Sequence, residues 1–275
     1  FRRVLLRSAS YVYVSPTKGN FSDLAWRTVY FPTLLVQVLT SIAALSYGIG
    51  AVGQERSKRT WDNLRATEVG AEMTLRARWI AILYRLRMPI VALLLIPVIL
   101  LLSVLYDITA FAGHYTDMLM QGITPTISHP IVGLLIIALI MTANILLPLT
   151  MIASSAAIGI LISVVIKNRA YAVTMQVILV FFQLMVIIGL LVAISRILQG
   201  QLELGGEALF AVFMGYSSFG DWGLLLAQLG SAGEIWATVP YGIFIGAALI
   251  GVMLIQSAIS DGMIWLAVKL SESGE

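Results

Sequence analysis

The chain has 275 residues, of which 59% are hydrophobic and only 11% are charged, with a net charge of +3 and no cysteine. Soluble domains carry a charge at about a quarter of their positions, so this composition excludes an ordinary soluble protein and indicates one embedded in a membrane. Disulfides and thiolate-bound metals are also excluded. The small positive charge gives no reason to expect nucleic-acid binding.

Five stretches lack Asp, Glu, Lys, Arg and His and are long enough to cross a membrane, since about 20 helical residues span its hydrocarbon core. They are residues 31–52, 88–105, 131–166, 170–195 and 235–260. The third would make about 54 Å of helix. We expect it to cross once and either to project beyond the membrane or to break near Pro148, because proline disrupts helices. The sequence predicts an all-α polytopic membrane protein.

The distribution of Lys and Arg predicts an orientation, because these residues stay on the cytoplasmic side in short loops. Residues 53–87 carry eight of them and are predicted inside, whereas residues 106–130 carry none and are predicted outside. By alternation residues 167–169 and the C-terminus lie inside, and residues 196–234 lie outside. Residues 1–30, with five positive charges, would then lie outside, against the rule. We therefore expect a missing span within or before them; the alternative is a basic elbow lying on the membrane surface.

The cytoplasmic insert, residues 53–87, is predicted to contain two helices. In the first, Glu55, Lys58, Arg59 and Asp62 follow helical spacing and form a charged face of alternating sign. The second carries an apolar stripe flanked by arginines, which is typical of a helix in the lipid headgroup layer; the stripe consists of Leu75, Trp79, Ile82 and Leu86.

The outer segment, residues 196–234, contains two apolar runs that are too short to cross, residues 208–214 and 222–229. Gly215, Gly220 and Asp221 separate the runs. We predict a re-entrant hairpin, which requires that protein cover its irregular backbone. The alternative is a surface loop with interfacial helices.

Side chains with catalytic potential do not form a convincing site. The "YD" at residues 106–107 and the "FGD" at residues 219–221 are similar to the paired aspartates of intramembrane aspartyl proteases, but Ser218 replaces the expected glycine. Both aspartates are predicted at span ends or in outer loops, so no protease is expected. The five stretches contain no ionisable residue, which disfavours an ion-coupled carrier. Their polar residues Asn144, Gln176 and Gln183 are candidates for a substrate path, or else for helix-helix contacts.

The segment "AVGQERSKRTWDNLRATEVGAEMTLRARWIAILYRLR" resembles the permease subunits of ABC-2 type exporters. In that family a span leads into a Glu-Arg pair, a Thr with an aromatic and an acidic residue, a Leu, and then a helix to the next span. The resemblance implies that this segment is a coupling helix that docks on an ATPase subunit. The matching docking residues are Glu55, Arg56, Arg59, Thr60, Trp61, Asp62 and Leu64.

The resemblance further implies a six-span bundle, of which about five spans are present in this chain, in the plasma membrane or its prokaryotic equivalent, the inner membrane. Expected partners are an ABC ATPase, a second identical or different permease subunit, and membrane lipids. The chain lacks a GxxxxGK[ST] loop, so ATP would bind the partner and this chain would be no enzyme. Its uncharged spans suit a hydrophobic or amphiphilic substrate. Alternatives are a structural or accessory subunit of a membrane complex and, less favoured, a secondary carrier.

Overall fold

A computed structural model describes residues 21–57, 70–110, 130–166, 168–202, 204–227 and 244–273. All regular structure within these ranges is helical. The α-helices, in chain order, are α1 (Phe21–Ser57), α2 (Gly70–Arg85), α3 (Arg87–Ala110), α4 (Pro130–Val165), α5 (Arg169–Leu198), α6 (Gly206–Gly215) and α7 (Ile245–Ser273). A π-helix (Tyr216–Gly220) and a 3-10 helix (Leu224–Ala227) follow α6.

Four helices of the described ranges are long and apolar enough to cross a membrane. Their candidate spans are Thr28–Gly53 in α1, Ile131–Val165 in α4, Ala170–Ile197 in α5 and Ile245–Glu272 in α7. Helices α2 and α3 meet at a bend of 61° and count as a fifth if the pair forms one span. The predicted all-helical fold is confirmed for the described residues, with four or five helices that can span a membrane, and the six-span exporter arrangement stays a prediction.

Two helices extend past the predicted span boundaries. Residues 21–30 form the start of α1, which continues without interruption into its candidate span. The last predicted span, 235–260, ends too early, because α7 runs to Ser273 and includes the exposed Asp261. A helix tolerates a carboxylate that faces away from the protein, so a search for charge-free stretches cut this helix short. Residues 1–20 and 235–243 lie outside the described residues.

The long third stretch is one helix. Helix α4 passes through Pro148 without a break, since proline removes only one backbone hydrogen bond of the helix, the one that the Asn144 carbonyl would accept. The helix is about 54 Å long, well beyond the roughly 30 Å of a hydrocarbon core. The helix therefore does not break near Pro148, and its projection beyond the membrane stays a prediction.

Helix α4 is the centre of the bundle, with α1 and α7 packed along it. Glycines allow both contacts: a Cβ atom added to Gly159 would lie 2.5 Å from the backbone oxygen of Leu45, and one on Gly48 would lie 2.8 Å from the Cα of Gly159. On the α7 side, a Cβ on Gly246 would lie 2.7 Å from the Cβ of Leu139. These distances are too short for any side chain, so the backbones approach as closely as glycine permits.

The apolar stripe of α2, which the sequence predicts to face the lipid headgroup layer, instead faces the protein. Leu75, Ile82 and Leu86 are buried against the bundle, and the indole nitrogen of Trp79 donates to the Ala153 carbonyl of α4 at 2.9 Å. This stripe therefore packs on α4 and α7 instead of entering lipid. The side chains that α2 leaves exposed lie on its opposite face and include Met73, Ile80 and Tyr84.

Candidate functional site

The predicted docking segment begins in the last turns of α1. Glu55 and Arg56 belong to this helix, which ends at Ser57. The other predicted docking residues lie outside the described residues; they are Arg59, Thr60, Trp61, Asp62 and Leu64. Their contact with an ATPase stays a prediction.

The polar residues predicted for a substrate path do not share one site. Gln176 Nε2 of α5 donates to Ser46 Oγ at 2.6 Å, and Gln183 Nε2 donates to Ser41 Oγ at 3.1 Å. Both serines belong to α1, so the glutamines join α5 to α1, as the alternative interpretation expects. Asn144 instead lies on α4 against a buried turn of the segment that follows α5.

This turn is formed by Asp221, Trp222 and Gly223, between the π-helix and the 3-10 helix, and we call it the DWG turn. Trp222 and Gly223 have φ angles of 53° and 84°, and a positive φ is costly for tryptophan, which persists there only because its surroundings enforce it. The Asp221 carboxylate accepts hydrogen bonds from the backbone N–H groups of Gly223 at 3.0 Å and Leu225 at 2.6 Å. The aspartate thus closes the turn and begins the 3-10 helix.

Helix α1 holds the DWG turn with three side chains. Trp26 Nε1 donates to the Leu224 carbonyl at 2.8 Å, and Gln37 Nε2 donates to the Asp221 carbonyl at 3.2 Å. The Tyr30 hydroxyl donates to Asp221 Oδ2 at 3.3 Å and lies 2.5 Å from the Tyr216 hydroxyl. Two tyrosines and the carboxyl therefore form a hydrogen-bonded chain between α1 and the π-helix.

The opposite side of the turn lies against Asn144 of α4. A Cβ on Gly223 would lie 1.8 Å from Asn144 Oδ1. Because the same glycine also has a positive φ, both the backbone conformation and the space at this position require glycine. The side chain of Asn144 thus fixes how closely the turn approaches α4.

The turn reaches far between the candidate spans. Gln37 lies nine residues inside the α1 span that begins at Thr28, and Asn144 lies thirteen residues inside the α4 span that begins at Ile131. At 1.5 Å per residue these positions are about 13 and 20 Å from the starts of the two spans. This depth favours the predicted re-entrant hairpin over a loop on the surface.

Several polar atoms around the turn have no hydrogen-bond partner among the described residues. They are Gln37 Oε1, Asn144 Oδ1 and Nδ2, and Ser217 Oγ. Their residues are at most 2% exposed. Buried polar atoms are almost always hydrogen-bonded, because leaving one unpaired costs about 1–3 kcal/mol. Four such atoms near the Asp221 carboxyl make the surroundings of the turn more polar than the packing of the helices requires.

Burial also changes the pKa of the Asp221 carboxyl in the turn. Among the described residues no cation forms an ion pair with Asp221. Burial raises the pKa of this carboxyl from 3.8 to about 7, although hydrogen bonds from Leu225 and Gly223 act to lower it. Burial and the nearby Asp221 charge raise the pKa of the Tyr216 hydroxyl as well. The carboxyl can therefore gain or lose a proton near neutral pH.

Sequence reasoning missed this cluster. The sequence places Asp221 at the turn of a re-entrant hairpin or in an outer loop, and the structure buries it fully. The sequence contains one indication of the cluster, a single carboxylate with two neighbouring glycines between apolar runs that are too short to cross a membrane. This pattern is typical of a turn that is buried in the protein. Nothing in the sequence indicated its partners, because Tyr30 and Gln37 lie more than 180 positions earlier in the chain.

No protein-family model, curated protein or solved structure matches this chain. The assignment of a function therefore depends on the motif in the insert and on the geometry described above.

Proposed function

We propose that this chain is the membrane permease subunit of an ATP-driven exporter of the ABC-2 type. The observation that carries the proposal is the sequence from Glu55 to Leu64, which resembles the family's coupling helix and follows directly on the end of a candidate span. A separate ATPase would bind the segment at the cytoplasmic side, and a second permease subunit would complete the transport path. The cargo would be hydrophobic or amphiphilic.

The arrangement of the helices supports this proposal. Helix α1 is continuous from the DWG turn to Glu55 and Arg56, so the predicted docking segment is attached to a rigid element. Helix α2 then packs on α4 and α7 before the bend into α3. An insert fixed on both sides to the bundle is suited to pass a displacement from a soluble partner to the spans.

Asp221 favours a second candidate, a proton-coupled carrier. The sequence disfavours an ion-coupled carrier because the predicted spans contain no ionisable residue. A buried carboxyl that titrates near neutral pH and contacts two candidate spans weakens that reason, since such groups serve as proton sites in carriers. The two functions differ in their energy source.

Substitutions in the insert test the exporter. Trp61 would be an apolar anchor in the ATPase groove, and truncation of a buried aromatic anchor costs about 2 kcal/mol or more. We expect Trp61→Ala to abolish co-purification of the ATPase, Glu55→Ala to weaken it, and the matched control Lys58→Ala to change it little. Membrane insertion should be equal in all three. If Trp61→Ala retains the ATPase and full ATP-dependent transport, Trp61 is not a docking residue and the coupling-helix assignment is excluded.

The energy source tests the carrier. In vesicles that contain the complete complex, transport by an exporter should stop when ATP is depleted and continue when a protonophore is added. A carrier should show the opposite pattern, and its transport should be lost in Asp221→Asn.

A further inference from the structure

Helices α2 and α3 share one exposed apolar stripe that continues through the bend between them. Its large members are 48–72% exposed, and they recur every three or four residues, which places them on one helical face. In order they are Met73, Ala77, Ile80, Tyr84, Met88, Val91, Leu95, Ile99 and Leu102. The stripe therefore belongs to both helices as a single surface.

The opposite faces of the two helices also form one stripe, and that stripe is buried in the bundle. It consists of Ala71, Leu75, Ile82, Leu86, Ile90, Leu93 and Leu100. The same face of the pair thus packs on protein before and after the bend. Since α3 is the apolar member of the pair, its outward stripe is the surface that lipid would cover in a membrane.

The polar residues on α2 are placed for the membrane surface. Arg76 and Glu72 form an exposed ion pair at 3.1 Å beside Met73. At the bend, the Arg87 guanidinium lies 4.6 Å from the centre of the Tyr84 ring and also donates to its hydroxyl. Arginine and tyrosine side chains have an apolar part and a polar end, so they are stable where hydrocarbon meets water.

We propose that the exposed face of α2, from Glu72 to Met88, is a binding site for an anionic phospholipid. Met73, Ala77, Ile80 and Tyr84 contact the acyl chains, while Arg76 and Arg87, which are about 16 Å apart along the helices, each bind a headgroup phosphate. The 61° bend turns α2 away from the axis of α3, so α2 follows the membrane surface while α3 enters it. This site requires that the chain lies in a membrane but is independent of the exporter assignment.

Continuity with α3 identifies lipid as the occupant. A soluble partner on α2 would cover a stripe that ends at the bend, whereas this stripe extends five more positions along α3 to Leu102. The excess of positive charge on α2 also matches an anionic headgroup, because each arginine near a negative membrane surface contributes about 1 kcal/mol, or roughly fivefold in affinity.

Fluorescence quenching tests the site, and the absence of cysteine from the chain makes a single label simple. A bimane on Ile80→Cys, in the full chain reconstituted in vesicles, should be quenched by brominated phosphatidylglycerol at a lower mole fraction than by brominated phosphatidylcholine. A label on Leu95→Cys in α3 should be quenched by both lipids, which provides the positive control for lipid contact.

Charge variants then test the headgroup contact. Arg76→Gln with Arg87→Gln should lower the preference for phosphatidylglycerol by about fivefold for each arginine. Glu72→Gln, which frees Arg76 from its ion pair, should increase it. Arg196→Gln at the far end of α5 is the control and should leave the preference unchanged. The substituted side chains on α2 are exposed, so all variants should fold.

Three results would overturn the proposal. Quenching of the Ile80 label by aqueous iodide and not by lipid would mean that the stripe faces water. Protection from both quenchers in native membranes would mean that a protein covers the stripe. Loss of the phosphatidylglycerol preference on addition of inorganic phosphate would mean that the arginines bind a soluble anion.

Discussion

Helices α4 and α5 are neighbours in the chain and are both long and apolar, with Arg196 near the end of α5 as the one charged residue of their spans, yet they have opposite positions in the molecule. Half of the residues in the α4 span are buried inside the protein, compared with 11% in the α5 span. Helix α4 forms the centre of the bundle, and α5 lies at its edge and exposes aromatic side chains such as Phe181 and Phe182. Apolarity alone therefore does not determine which helix becomes the core.

The difference lies in the small residues. Ala143, Ala156, Ala157 and Gly159 of α4 face its neighbours, where the alanines are completely buried and the glycine touches the α1 backbone. Gly189 of α5 has nothing within 4 Å of where its Cβ would be. Lipid is as apolar as a leucine side chain, so helices in a membrane associate where small residues let backbones approach.

The largest expected effect comes from adding one methyl group to each helix. In Gly159→Ala the new Cβ would lie 2.5 Å from a backbone oxygen of α1, which cannot rotate away, so the helices must separate. We expect a loss of about 3 kcal/mol in stability. In Gly189→Ala the methyl meets open space, and alanine favours a helix over glycine, so stability should rise slightly.

The measurement is the apparent melting temperature of both variants in the same detergent. Equal melting temperatures would show that the contrast between α4 and α5 has another origin.

A smaller effect for each unit of pH is expected from Asp221 in the DWG turn, which is joined to the π-helix on which α5 packs. The pKa of Asp221 is raised by burial to about 7 in the folded chain. Between pH 4 and 7 the unfolded chain loses a proton that the folded chain keeps, so stability falls as the pH rises, by at most about 1.4 kcal/mol per unit. Above pH 7 this contribution is constant.

The variant Asp221→Asn shows how much of this pH dependence comes from Asp221. Its stability should be lower than that of the original chain at pH 5, because the amide NH2 group would oppose the backbone N–H of Gly223 or Leu225, but the fall between pH 5 and 7 should be absent. Thermal unfolding at several pH values for the two proteins gives the difference. An identical pH dependence in both would remove Asp221 as its source.

The smallest expected effect concerns the polar contacts between α5 and α1. Gln183→Leu removes the hydrogen bond to Ser41, and such bonds between membrane helices contribute about 0.6 kcal/mol on average. A double-mutant cycle with Ser41→Ala should give a coupling energy of that size. A coupling energy above about 2 kcal/mol would mean that polar contacts, and not small residues, decide how α5 is held.

The features of the fold that depend on composition and residue spacing could be predicted from the sequence. Charge-free stretches located the candidate spans, since hydrocarbon excludes charge regardless of the fold. The same criterion failed at Asp261, which is exposed within α7, and at residues 21–30, where polar side chains belong to a helix that extends past the apolar region. Which face of α2 packs on protein was also missed, because both faces carry apolar residues at helical spacing.

The cluster around Asp221 could not be predicted for a different reason. It depends on contacts between residues of α1, α4 and the DWG turn that are far apart in the chain, and no local pattern specifies them. The close approach at Gly159 could not be predicted for the same reason. A glycine in a membrane helix indicates a helix contact only when the neighbouring helix is known.

Helix α1 has the geometry of a lever. A pivot at its close contact with α4 at Gly48 would lie about 14 Å from Ser57 and about 27 Å from Tyr30 at 1.5 Å per residue. The arm on the Tyr30 side is therefore about twice as long as the arm that leads to the insert. A sideways displacement of 1 Å at Ser57 would move Tyr30 by about 2 Å in the opposite direction, enough to break its hydrogen bond with Asp221. A small push at one end of the molecule would thereby produce a larger movement at the other.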